Sequence, residues 1–346
     1  MEFMDYRSDT VTQPTPEMRE AMAKAHVGDD VYREDPTINH LQQMSAEMTG
    51  MQDALFLPSG TMGNLTAILA HCGRGDEVIE GHLAHTFLYE AGGMAALGGV
   101  HPHTIPNQPD GTLALKDIQE AIREDDPHSP ITSLISIENT HNRCGGVSLT
   151  PKFTHQVCML AKENGLRMHI DGARIFNAAV DQGVDVRKLV NSADSITFCL
   201  SKGLAAPVGS VLCGSTEFIQ RAHRIRKQLG GGMRQAGIIA AAGIVALQTM
   251  VERLSDDHRR AKNLAQGLAN IKGIDFDVQN TNMVYFNLSE EVPLSVEQFI
   301  EGLKKRGLLL GLDHGRRFRM VTHVWISDQD IQQALQVMTD TINTIR

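Results

Sequence analysis

The sequence predicts an α/β protein: a mainly parallel sheet covered by helices on both faces and followed by a smaller α+β unit. Three observations carry this. Short apolar, β-branched runs alternate with segments of helical periodicity through the first 250 residues. The runs ITSLISIEN and LRMHIDGA bracket KFTHQVCMLAKENG, whose Phe153, Val157, Leu160 and Ala161 form one helical stripe stopped by Gly165, a strand-helix-strand unit. Beyond about residue 250 the order changes to strand, helix, two strands and helix.

In chain order, Thr15-Pro16-Glu17 supplies a cap, a proline at the first helical position and an acid in the first turn, so a helix starts there and Gly28 stops it. A second helix runs through Ile38, Leu41 and Met44 to Gly50, and ALFLPSGTMGNLTAIL reads as strand, tight turn, helix. DEVIE, ITSLISIEN, LRMHIDGA, SITFCLSK and GSVLCG are strands. An apolar helix at residues 236–250 continues into the charged VERLSDDHRRAKNLAQGLANI. MVYFNL is then a strand, SVEQFIEGLKKRG a helix, LLLGL and RFRMVTHVWI strands, and a last helix ends at Arg346. The expected division is a large α/β domain at 1–250, including the N-terminal segment, and a small C-terminal α+β domain at 251–346.

The 346 residues are 42% hydrophobic and 21% charged, enough apolar matter for a large core. The formal net charge is -9 and no dense basic run exists to follow a phosphate backbone, so nucleic acid is not an expected partner. Five cysteines without a CxxC pair argue against a disulfide framework or thiolate zinc site. Glu2, Asp5 and Asp9 stand where a signal peptide needs a basic and then an apolar run, and GIIAAAGIVAL is too short to span a bilayer. The expectation is a cytoplasmic protein with no membrane partner.

Three strand ends hold chemistry-bearing residues. Ser59-Gly60-Thr61 opens a helix, where free N–H groups and the dipole suit a phosphate, although an ordinary N-cap has the same look. Asp171 closes a buried strand, where an acid needs a cation or donors; Arg174 nearby is one local partner. Lys202 follows SITFCL and is either a solvated charge or a Schiff-base nucleophile. Together, a phosphate cradle, an acid for a pyridinium nitrogen and a lysine for an aldehyde are the parts of a pyridoxal phosphate site.

At these positions the chain resembles the low-specificity L-threonine aldolases, within the aspartate-aminotransferase-like (fold type I) pyridoxal phosphate enzymes. The resemblance covers nearly the whole length: RSDTVT at 7–12, VGDDVY at 27–32, EDPT at 34–37, PSGTMGN at 58–64, ENTHN at 138–142, HIDGARIFNA at 169–178, CLSKGLAAPVGS at 199–210, GGGMRQAG at 230–237 and RMVTH at 319–323. It implies pyridoxal 5'-phosphate held as a Schiff base on Lys202, with Asp171 at the ring nitrogen, Gly60 and Thr61 on the phosphate and Arg174 near the phenolic oxygen. It implies that Ser8 and Arg319 grip the substrate carboxylate and that His85 stacks on the cofactor. His85 or His128 would take the β-hydroxyl proton. Arg234 and Tyr32 would act across a subunit interface in a homotetramer built from dimers. The implied reaction is retro-aldol cleavage of L-threonine or L-allo-threonine to glycine and acetaldehyde. The alternative is another fold type I activity, serine hydroxymethyltransferase-like or β-eliminating, using the same lysine.

Two places depart from the family pattern. Arg33 replaces the glycine of VYGEDP, and DPHSPITSL keeps His128 but lacks the family's following Phe and Arg. His82 and His85 show no HExxH spacing or further ligand cluster, so no metal is expected.

Overall fold

The computed structural model describes residues 3–343, so the expected helix end at Arg346 lies outside the described residues. Met4–Asp5 (β1) precedes Pro16–Ala23 (α1), whose Met18 N–H donates to the capping Thr15 hydroxyl at 3.3 Å. This helix ends before the expected Gly28, because the chain folds back to Thr37, which donates to the His26 carbonyl at 2.6 Å. Pro36–Thr49 (α2) is capped by Asp35, which accepts from Thr37 and Ile38, and closes on Gly50 at φ +70°.

Next come Asp53–Leu57 (β2), Gly60–His71 (α3), Glu77–Gly81 (β3), the short His85–Leu88 (α4), His101–Ile105 (β4) and Leu115–Ala121 (α5). Thr132–Glu138 (β5), Pro151–Glu163 (α6) and Arg167–Asp171 (β6) realise the expected crossover. They lead to Ile175–Gln182 (α7), Val186–Val190 (α8), Ser195–Cys199 (β7), Ser210–Gly214 (β8) and Thr216–Gln228 (α9).

The first sheet has the order β2-β8-β7-β6-β5-β3-β4. From β4 to β7 every pairing is parallel, and β8 runs antiparallel to both its neighbours. Its strands β3, β7 and β8 are buried throughout, as runs covered on both faces must be. The unanticipated β4, HPHTI, lies at the sheet edge, where a proline is tolerated.

Gly237–Thr249 (α10) and Leu254–Leu268 (α11) were expected as one helix but meet at 71°. The break matches a change of surface, because α10 is apolar nearly all round whereas α11 is amphipathic with Asp256 and Asp257 in its first turn. Among the described residues no single helix is long and apolar enough to cross a membrane.

Ile274–Asn280 (β9), Met283–Leu288 (β10), Val296–Lys305 (α12), Leu308–Leu309 (β11), Gly311–His314 (β12), Arg317–Val321 (β13) and Asp328–Asn343 (α13) complete the chain. An antiparallel sheet runs β12-β13-β10-β9, and β1 pairs in parallel with β11. Met4 and Tyr6 therefore pack in the core made by α11, α12, α13 and β10, although the N-terminal segment was expected with residues 1–250. The RFRMVTHVWI run leaves the sheet after Val321, where the Thr322 hydroxyl donates to the Asp257 carbonyl at 2.7 Å.

Candidate active site

A cavity of about 470 Å³ opens beyond the carboxyl ends of β5 and β6 and the loop after β7, the crevice where doubly wound sheets gather ligand groups. Six expected residues line it: Ser8, His85, Asp171, Arg174, Lys202 and Arg319.

Lys202 stands just past β7 on a clamped backbone. Its carbonyl accepts from the Thr12 hydroxyl at 2.9 Å and from the Ala205 N–H at 2.8 Å, and Ala205 takes φ +62° to close that turn. Among the described residues no hydrogen-bond or ion-pair partner occupies the Lys202 ammonium. Asp171, the last residue of β6, accepts from the Asn64 amide at 2.9 Å and from the Ala173 N–H at 3.1 Å. The local Asp171–Arg174 pairing considered from the sequence does not form. Arg174 instead grips buried Asp9 through Nε at 2.7 Å and Nη2 at 2.6 Å. Burial by itself would raise the Asp9 pKa, but Arg174, aided by Lys202 and Arg319, holds it well below the usual carboxylate range.

His85 opens α4, and its N–H donates to Glu138 at 2.8 Å. Its Nδ1 lies 3.0 Å from Glu90 Oε1, which fixes the tautomer and leaves Nε2 as the other reactive atom. Burial opposes protonation of this ring, yet the Glu90 hydrogen bond and the charges of Asp171, Glu90 and Glu138 prevail and raise its pKa. Arg319 donates to Asn142 Oδ1 at 2.9 Å and to the Arg7 carbonyl at 3.2 Å, while the Asn142 N–H is held by Glu138 at 2.9 Å. Ser8 caps the adjoining turn, accepting from Thr10 at 3.2 Å.

Gly60 and Thr61 are not among the cavity's lining residues but begin α3 beside it, with Ser59 capping the Met62 N–H. A Cβ on Gly60 would lie 2.9 Å from Cys199 Sγ, and one on Gly63 2.5 Å from Thr197, so both glycines let this helix start rest on β7.

Three expected residues lie elsewhere. Tyr32 is 71% exposed. Arg234 reaches out to Asp29 at 3.0 Å. The His128 side chain is 91% exposed and turned onto Asp126 at 2.8 Å. His128 precedes β5 and so sits at that strand's amino end, whereas the cavity lies at the carboxyl end. Within one chain it is therefore not brought to the site. Conversely, Asp9, Asn64, Glu90, Glu138 and Asn142 were not singled out. Asp9, Asn64, Glu138 and Asn142 lie within the motifs RSDTVT, PSGTMGN and ENTHN, and Asn64 carries a further signal as a polar side chain set into the apolar turns of GTMGNLTAIL.

Residues 5–291 match the beta-eliminating lyase family. The chain is 46% identical over 351 residues to low-specificity L-threonine aldolase 1 of Arabidopsis thaliana, covering 100% of this chain and 98% of that protein. To the low specificity L-threonine aldolase of Escherichia coli (strain K12) it is 45% identical over 331 residues, covering 96% and 97%. The solved threonine aldolase of Leishmania major superposes with a TM-score of 0.83 at 21% identity, over 98% of this chain and 99% of that one, a likeness of fold. Taken over nearly the full length of both aldolase sequences, this identity means that the chain belongs to the low-specificity L-threonine aldolases of the beta-eliminating lyase family.

Proposed function

We propose that this chain binds pyridoxal 5'-phosphate and cleaves L-threonine, L-allo-threonine and related β-hydroxy-α-amino acids to glycine and an aldehyde. The observation that carries the reading is the single cavity shared by Lys202, Asp171, His85, Arg174 and Arg319. The residues present fit the cofactor. Lys202 has an unengaged ammonium among the described residues, Asp171 is already oriented by two donors, and the Gly60 and Thr61 N–H groups begin α3 with no partner among the described residues. The Thr197 hydroxyl, paired in register with Asp171, is also buried without a partner.

When bound, the cofactor supplies an electron sink for the pair released as Cα–Cβ breaks. Lys202 would hold it through Nζ, Asp171 would accept from its ring N–H, and Gly60 and Thr61 would donate to its phosphate. Ser8 and Arg319 bind the substrate carboxylate, with Arg174 held rigid by Asp9 at the side. This grip orients the Cα–Cβ bond for cleavage. His85 takes the β-hydroxyl proton at Nε2, because Glu90 occupies Nδ1. His128 has no part in this chain's own cavity.

The same reading divides the chain near residue 250 and assembles it as a homotetramer of paired dimers, with exposed Tyr32 and Arg234 turned towards a second copy. All five cysteines are unpaired, which supports a reducing, cytoplasmic setting. Lys202→Ala should abolish both the absorbance of bound cofactor and turnover, a loss of at least ~10³-fold in kcat for removal of a covalent anchor. Full activity in that variant would overturn the assignment.

A further inference from the structure

Behind Asp171 a line of polar groups, buried except for half-buried His71 at its end, crosses from β6 to the far end of α3. Asn64 and His71 lie two turns apart on one face of α3, and His169 precedes Asp171 by two residues on the same face of β6. Ser195, at the start of β7, is the register partner of His169. The contacts are continuous. Asn64 Nδ2 lies 2.9 Å from Asp171 Oδ2 and 2.9 Å from Glu90 Oε1. Its Oδ1 is 3.3 Å from His169 Nε2, His169 Nδ1 is 2.8 Å from Ser195 Oγ, and Ser195 Oγ is 2.7 Å from His71 Nε2.

The donor and acceptor inventory permits one arrangement of hydrogens. Both amide hydrogens of Asn64 go to the two carboxylates, since the opposite amide orientation would face an oxygen towards two acids. Asn64 Oδ1 must then accept, which makes His169 Nε2 an N–H. Burial pushes the His169 pKa down to about 4, partly opposed by Asp171, so the ring is neutral and its Nδ1 accepts from the Ser195 hydroxyl. Ser195 Oγ in turn accepts from His71 Nε2–H. Burial, aided by the charges of Arg221 and Arg167, keeps His71 neutral too. His71 stacks on Phe218 at 4.4 Å, which fixes its ring at the end of the line.

We propose that Asn64, His169, Ser195 and His71 form a one-directional hydrogen-bond line that holds Asp171 as an oriented acceptor for the ring nitrogen. Through the shared Asn64 amide, the same line positions Glu90 and hence the tautomer of His85. These are positioning residues for the reaction, and the inference rests on the proposed cofactor reading. Without the His169 donor, the Asn64 amide is free to turn, and one reorientation disturbs both Asp171 and the Glu90–His85 pair.

The test uses holoenzyme reconstituted with pyridoxal phosphate labelled with 15N in its ring, in wild type, His169→Met, His169→Gln and Ser195→Ala. The 15N shift, the cofactor Kd, and kcat and KM for L-threonine are read for each. His169→Met and Ser195→Ala should move the 15N signal towards the unprotonated ring. They should also weaken cofactor binding and lower kcat by about tenfold each, with KM for threonine within about twofold, as expected for losing one hydrogen bond in a line to a charged group. His169→Gln keeps a donor for Asn64 and should stay within about threefold of wild type. Should His169→Met fail to fold, Ser195→Ala carries the same test with only a hydroxyl removed. An unchanged 15N shift and Kd in Ser195→Ala would overturn the line while leaving the cofactor reading intact. A wild type that binds no pyridoxal phosphate would overturn both.

Discussion

Glu80 shows how strongly burial acts on a carboxyl group with other acids near it. It is fully buried on β3, accepts from the Thr86 hydroxyl through Oε2, and leaves Oε1 without a partner among the described residues. Burial, reinforced by Glu90, Glu138 and Asp171 against the Thr86 hydrogen bond, pushes its pKa from 4.5 up to about 7. The folded protein thus binds more protons than the unfolded chain between those values, so this group's contribution to stability is lost as pH rises from about 4.5 through 7. The loss is on the order of 3 kcal/mol at most. Glu80→Gln cannot ionise, so its Tm should fall less than that of wild type between pH 5 and pH 8. Parallel Tm–pH curves for the two proteins would contradict this role.

At the scale of elements, Arg33 ends the turn at Asp30–Tyr32 with φ +62°, the left-handed conformation that the family's glycine adopts freely. Its N–H donates to Asp30 at 3.0 Å and its carbonyl accepts from Asn39 at 2.9 Å, so the turn is retained despite the side chain. Arg33→Gly should raise stability by about 0.5–1 kcal/mol, the relief of strain less the added freedom of the unfolded chain. Denaturant unfolding checks this, and a loss of stability would show that the Arg33 side chain contributes more than its backbone costs. The elements legible in the sequence were those with local causes: Thr15 and Asp35 caps, Gly50 at a positive φ, and the apolar runs that became β5, β6, β7 and β8. Lys202 and Asp171 were legible because each closes such a run. Strand β9 carries the alternation a half-buried strand requires, Ile274, Phe276 and Val278 alternating with Asp275, Asp277 and Gln279, and was legible in principle. The edge strand β4 was not, since HPHTI lacks that alternation. Nor were Arg174's choice of Asp9 over Asp171 and the remoteness of His128, which depend on which strand end faces the cavity and not on any local pattern.

Across the whole molecule, the site is closed from two sides. The large sheet supplies Glu138, Asp171 and Lys202, while the antiparallel sheet supplies Arg319, and Tyr285 there donates to the Asn142 carbonyl at 3.0 Å. The N-terminal segment ties them together: β1 pairs with β11, Arg7 and Ser8 adjoin Arg319, and Asp9 bonds Arg174. In the proposed reading, carboxylate grip and proton removal thus come from different parts of the chain, meeting over one lysine. The most direct measurement supplies purified protein with pyridoxal phosphate and L-threonine and determines the products with time. Glycine and acetaldehyde should form in equal amounts, with no 2-oxobutanoate. Formation of 2-oxobutanoate and ammonia in their place would mean that the cavity breaks the Cβ–O bond, and would contradict the retro-aldol assignment.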